Sequence, residues 1–182
     1  MLKAIDVANF FIDLSSSMEE ELMTNLKVNK LVYFAQAWSL VRLGRKLFDE
    51  DILAWTYGPV VQSVYSTFKP CGKNNIEHVY GDYSADAFSS EELELLMDVA
   101  LQYGQYTATT LVNITHKSGS PWAKVYKEHE NNIISIDSMK EYFSALQPLP
   151  EFTLSVSDED FVGYRDKDGY LVLPKEWDDE QK

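Results

Sequence analysis

The residues of this 182-residue chain that could do acid–base, nucleophilic or metal chemistry are three histidines, one cysteine and several close pairs of carboxylates. His78, His116 and His129 are separated by 38 and 13 residues, spacings that match no local helical ligand pair. A surface or capping role is the commoner fate of such histidines. The catalytic alternative is a hydrolase in which His116 meets a carboxylate and a nucleophile in one pocket, and no motif supports it. Cys71 lies between Pro70 and Gly72 with no neighbouring feature that would activate its thiol, so it reads as incidental. Asp49 with Asp51, or Glu91 with Glu94, are as readily explained by solvated surfaces as by proton transfer. The chain contains no glycine-rich phosphate loop, HExxH or GxSxG, and one cysteine permits neither an intrachain disulfide nor a cysteine-rich zinc site. The expectation is a protein that is not an enzyme, holds no metal or cofactor, and suits a reducing cytoplasm.

Binding chemistry is better represented. Four Trp, 11 Tyr and 9 Phe exceed the usual needs of a small helical core, and Tyr and Trp concentrate in protein interfaces because they join a large apolar area to a polar handle. Trp38 sits on a core stripe, whereas Trp55 and Tyr57, on a short strand near the surface, divide evenly between packing and binding. With Tyr164, Tyr170 and Trp177 near the C-terminus they form the candidate partner-binding set. A net charge of -13 repels phosphate backbones and anionic membranes and attracts cationic partners, although soluble proteins without a basic partner show such a balance as often. No stretch approaches the roughly 20 apolar residues of a membrane span. The first residues, with Asp6 among their apolar side chains, read as a helix and not as a signal peptide.

The elements that must position these groups are mostly helical. Ala4, Val7, Ala8 and Phe11 predict a helix over about 3–14 that ends in Ser15-Ser16-Ser17. Thr24 caps a central core helix with Val28, Leu31, Ala35, Trp38 and Val41 on one stripe, widened by Leu26 and Phe34 and stopped by Gly44. Alternation over 52–57 predicts a strand, after which Gly58 as N-cap and Pro59 as first helical residue open a helix to about Phe68. Residues 69–90 read as loop, with 76–80 a candidate second strand that would pair with the first. Ser89 and Glu92 have capping-box spacing before a helix toward Tyr103, a further helix starts near Thr107, and Ser120-Pro121 opens a short one carrying Trp122, Val125 and Tyr126. The last core helix follows Ser135 or Asp137, turns Met139, Tyr142, Phe143 and Leu146 inward, and stops before Pro148 and Pro150.

Residues 1–150 thus read as one compact, mainly α domain with a small β element, and 151–182 as an acidic extension of ten acids against four bases. Within it, apolar runs flank Asp166-Lys167-Asp168-Gly169, which predicts a C-terminal β-hairpin appendage.

The run Asn29-Lys30-Leu31-Val32-Tyr33-Phe34-Ala35-Gln36-Ala37-Trp38, followed in order by Leu47-Phe48-Asp49-Glu50-Asp51 and Trp55-Thr56-Tyr57-Gly58-Pro59-Val60-Val61, resembles the Panacea antitoxin domain family of SocA-like and phage-associated GepA-like proteins. Tyr65 continues the matching helix, and Ser120-Pro121-Trp122 resembles a later helix start of the same family, so the resemblance covers about 4–147. It implies a compact helical fold with a small strand element and an antitoxin that neutralises a cognate protein toxin, made by an adjacent gene, by direct binding. An alternative seen in the same family is an adaptor that delivers its bound toxin to a Clp-type protease. A DNA-binding regulator would need a basic patch that the overall charge argues against. The resemblance supplies no shared catalytic activity and no site, and the extension after 150 lies outside it.

Overall fold

In a computed structural model the described residues are 2–16, 22–146 and 148–149, together with the strand pairs 164–165 and 171–172. The chain divides into two units, Met1–Glu151 and Phe152–Lys182. Among the described residues the first unit holds seven helices: α1 (Ala4–Ser16), α2 (Asn25–Arg42), α3 (Gln62–Phe68), α4 (Ser90–Tyr103), α5 (Ala108–Thr115), α6 (Pro121–Val125) and α7 (Ile136–Ser144). One hairpin, β1 (Ile52–Trp55) and β2 (Gly58–Val61), lies between α2 and α3. The fold is therefore mainly α with a small antiparallel sheet.

Helix α2 starts where Thr24 accepts the Lys27 N–H at 3.2 Å and ends at Leu43, just before Gly44 at φ 68°. It is the axis of the unit, packed by α1, α3, α4, α5, α7 and β2, so it is buried on every side and not along one stripe. Its aromatic side carries most of the large packing. Phe34 stacks on Tyr103 at 3.9 Å, Trp38 meets Phe143 edge-on at 5.4 Å, and the Trp38 indole N–H donates to the Tyr103 hydroxyl at 3.1 Å.

The remaining faces of α2 are polar, and most of their buried groups bond backbone nearby, as burial requires. Gln36 receives the Leu47 N–H and gives its amide to the Phe48 carbonyl, both at 2.8 Å, which fixes residues 47–48 against α2. Lys27 donates to the Gly104 carbonyl at 2.7 Å, Ser39 to that of Arg45 at 2.6 Å, and Asn29 accepts the Val61 N–H at 3.1 Å.

Ser89 and Glu92 close the expected capping box of α4, with the Ser89 N–H on the Glu92 carboxylate at 2.9 Å. Burial alone would raise the Glu92 pKa. The Ser89 N–H, the Arg45 guanidinium at 2.7 Å and the Ser89 hydroxyl outweigh that and hold the carboxyl below its usual range. Ser89→Ala removes one cap bond and should lower stability by about 1 kcal/mol in a denaturant melt, with the helix content unchanged.

Four local expectations are corrected. Gly58 and Pro59 do not begin a helix; they form β2, and α3 starts at Gln62. Residues 56 and 57 are a turn, so Trp55 pairs with Gly58 and Ala54 with Pro59. Ala54 turns its N–H away, to the Asn132 carbonyl at 2.8 Å, and the strand position opposite it therefore asks no donor of proline. The segment 76–80 is not a strand, because the partner place is filled from within the hairpin; Ile76 instead packs in the core and donates its N–H to the Met23 carbonyl at 2.9 Å. Leu146 is exposed, since α7 has already ended at Ser144.

In the second unit, β3 (Tyr164–Arg165) pairs antiparallel with β4 (Leu171–Val172), Tyr164 opposite Val172, which is the hairpin expected of that stretch.

Candidate partner-binding site

The hairpin β1–β2 is tied down on both edges. On the outer edge of β1, Ile134 donates its N–H to the Ile52 carbonyl at 2.8 Å, which covers a strand edge that would otherwise be open. At the tip, Trp122 donates its indole N–H to the Trp55 carbonyl at 2.8 Å, a His116 ring nitrogen meets the Thr56 carbonyl at 3.1 Å, and the Tyr126 hydroxyl reaches the Thr56 hydroxyl at 3.4 Å. Helices α5 and α6 supply these anchors through the caps Thr107 and Ser120, the second followed by proline at the first helical position. Tyr57 is left 68% exposed at a turn held by two bonds to its backbone and one to the Thr56 side chain.

Beside this tip lies a cavity of about 470 Å³ bounded by α2, the hairpin, α3 and residues 126–131. Trp55 lines it half-buried, edge-on to Tyr65 at 4.9 Å, and its indole N–H is buried without a hydrogen-bond partner. Lys30 also lines it. This lysine is 1% exposed and makes one hydrogen bond, to the Pro59 carbonyl at 2.9 Å. Burial without a carboxylate beside it lowers its pKa to about 7.

Of the residues singled out in sequence, Trp55 and Tyr57 come together on this wall. Tyr164 falls in β3 of the second unit, while Tyr170 and Trp177 lie outside the described residues. His116 has both ring nitrogens on backbone carbonyls, those of Val112 at 2.6 Å and Thr56, with its ring against Trp122 at 3.6 Å, so it braces the hairpin. Cys71 is half-buried at the end of a 3₁₀ turn. Among the described residues no three His, Cys, Asp or Glu side chains converge as metal ligands would, and no helix is long and apolar enough to cross a membrane. Sequence reasoning missed Lys30 as a site residue. Its signal was a lysine inside the expected central core helix, one position from Leu31 on the apolar stripe.

The family model for the antitoxin SocA-like Panacea domain matches residues 28–123, more than half of the chain, from the first turns of α2 through the start of α6. The chain belongs to the Panacea domain family. This Panacea chain is 31% identical over 128 residues to the Antitoxin SocA of Caulobacter vibrioides strain NA1000 / CB15N, an alignment covering 64% of it. It spans 66% of that relative's own length. No solved structure matches it. The matched Panacea region includes Lys30, Trp55, Tyr57 and the Ser120-Pro121-Trp122 anchor; Tyr126, Glu130 and the second unit lie beyond it.

Proposed function

We propose that this Panacea protein is a cytoplasmic antitoxin that neutralises a protein toxin, encoded by an adjacent gene, through direct binding. The observation that carries the reading is the family match across the anchored hairpin, whose tip presents an exposed Tyr57 on a braced backbone. A rigid aromatic tip suits an interface, because little conformational entropy is lost when a partner closes on it. The net charge of -13 favours a toxin with a basic surface and speeds its encounter.

Co-expression of the two genes should restore colony formation that the toxin gene alone abolishes, and the two proteins should co-purify. If both are soluble and neither result is obtained, the toxin partnership is wrong. We assign residues 151–182 a role in choosing the partner, given their acidity. Deleting them should leave the melting temperature of the helical unit within a few degrees and weaken neutralisation. A collapse in melting temperature would make the extension structural.

A further inference from the structure

We infer that the cavity beside the hairpin is a carboxylate-binding site, in which Lys30 and the indole N–H of Trp55 donate to an acidic side chain or a chain-terminal carboxylate of the partner protein. The identity of the protein that carries the carboxylate rests on the antitoxin reading; the carboxylate chemistry does not.

Unmet donors make the first argument. Protonated, as it is below about pH 7, Lys30 offers three N–H groups and places one, on the Pro59 carbonyl, while the Trp55 indole N–H is buried and places none. A buried donor without an acceptor is costly, and the Trp55 indole N–H, on the same cavity wall as a lysine with N–H groups to spare, favours a ligand rich in acceptors. Charge makes the second. Acids outnumber bases 29 to 16 in the chain, yet the cavity wall carries Lys30 and Lys69 against Glu130 alone. Glu130 is itself engaged by the Asn132 amide at 2.8 Å and by Lys127 at 3.7 Å. The wall is thus a local inversion of the molecule's field, suited to an anionic group carried by a partner.

Size and lining complete the case. About 470 Å³ falls in the range of roughly 300–1,000 Å³ typical of small-ligand pockets, and Tyr65 and Trp55 give apolar surface for the carbon skeleton behind the carboxylate. Both lysine and tryptophan are held from behind, Lys30 on the central helix and Trp55 by the Trp122 bond to its carbonyl. The backbones that carry the two donors are therefore fixed before binding, and only the side chains have to turn toward the ligand.

The test uses the full chain labelled with ¹⁵N and two small probes, 3-phenylpropionate and its neutral amide. The Trp55 indole signal is assigned by its loss in Trp55→Phe. The carboxylate should shift that signal saturably in the millimolar range, the amide should not, and Lys30→Met should abolish the shift. Absence of a saturable Trp55 shift at up to about 20 mM carboxylate overturns the site. In a second arm, Trp55→Phe and Lys30→Met should each weaken binding of the adjacent gene product by about tenfold or more, as loss of a hydrogen bond to a charged group does. Unchanged affinity in both variants overturns the assignment of the carboxylate to the partner. A wild-type chain that binds the probe and not that protein retains the carboxylate site and removes the antitoxin reading, whereas neutralisation with a silent Trp55 does the reverse.

Discussion

Gly58→Val is expected to cost about 3–5 kcal/mol and lower the melting temperature by roughly 10 °C. Gly58 has φ 98°, a region that β-branched residues avoid. Space is closed as well: a Cβ on Gly58 would lie 2.7 Å from the Thr115 hydroxyl oxygen and 2.9 Å from Cε of Lys30. The substitution therefore presses α5 and α2 away from the hairpin at once. Pro59→Ala, one residue on, should cost less than about 1 kcal/mol, because Ala can adopt the extended conformation and proline's missing N–H is not called upon there. Thermal melts of the two variants give the comparison. Equal melting temperatures with loss of partner binding only in Gly58→Val would reassign Gly58 from a packing position to an interface.

The second large effect is a dependence of stability on pH that belongs to Lys30. Its pKa falls from 10.5 unfolded to about 7 folded. Between those values the unfolded chain binds the extra proton, so stability rises with pH; the contribution is complete above the unfolded value and is lost as pH falls through the folded one. From pH 7 to pH 9 the gain is about 2 kcal/mol. In Lys30→Met the group is gone, so chemical denaturation at the two pH values should show the wild type gaining that much relative to the variant. Parallel pH profiles for the two proteins would mean that Lys30 stays charged in the fold.

Apart from α3, the later helix starts were legible because caps are local chemistry. Thr24, Ser89, Thr107, Ser120 and Ser135 each bond an N–H of the first turn, and side chain and spacing suffice to find them. The hairpin was half legible. Alternation marked β1, but Gly-Pro reads equally as a helix start, and only the approach of Thr115 and Lys30 explains why the glycine belongs to a strand. The polar faces of α2 were not legible. Periodicity finds the apolar stripe of Val28, Leu31, Ala35 and Trp38, and treats Asn29, Lys30 and Gln36 as the wet side. Their burial depends on carbonyls and amides supplied 11 to 32 residues later in the chain, a non-local fact. The candidate site followed the same division. Trp55 and Tyr57 were visible as aromatics near the surface, while Lys30, whose role comes from the neighbours it lacks, was not.

The central position of α2 has a consequence during synthesis. Its last residue, Arg42, leaves the ribosome about 100 residues before Ser144, which ends α7, an interval of roughly 5–20 s at ordinary bacterial and eukaryotic elongation rates. Until then Phe34 and Trp38 lack Phe143, which closes over both rings, and Phe34 also waits for Tyr103. The nascent chain therefore carries an aromatic surface open to chaperones and proteases, and a ribosome that stalls anywhere between codons 43 and 143 releases a product that cannot bury it.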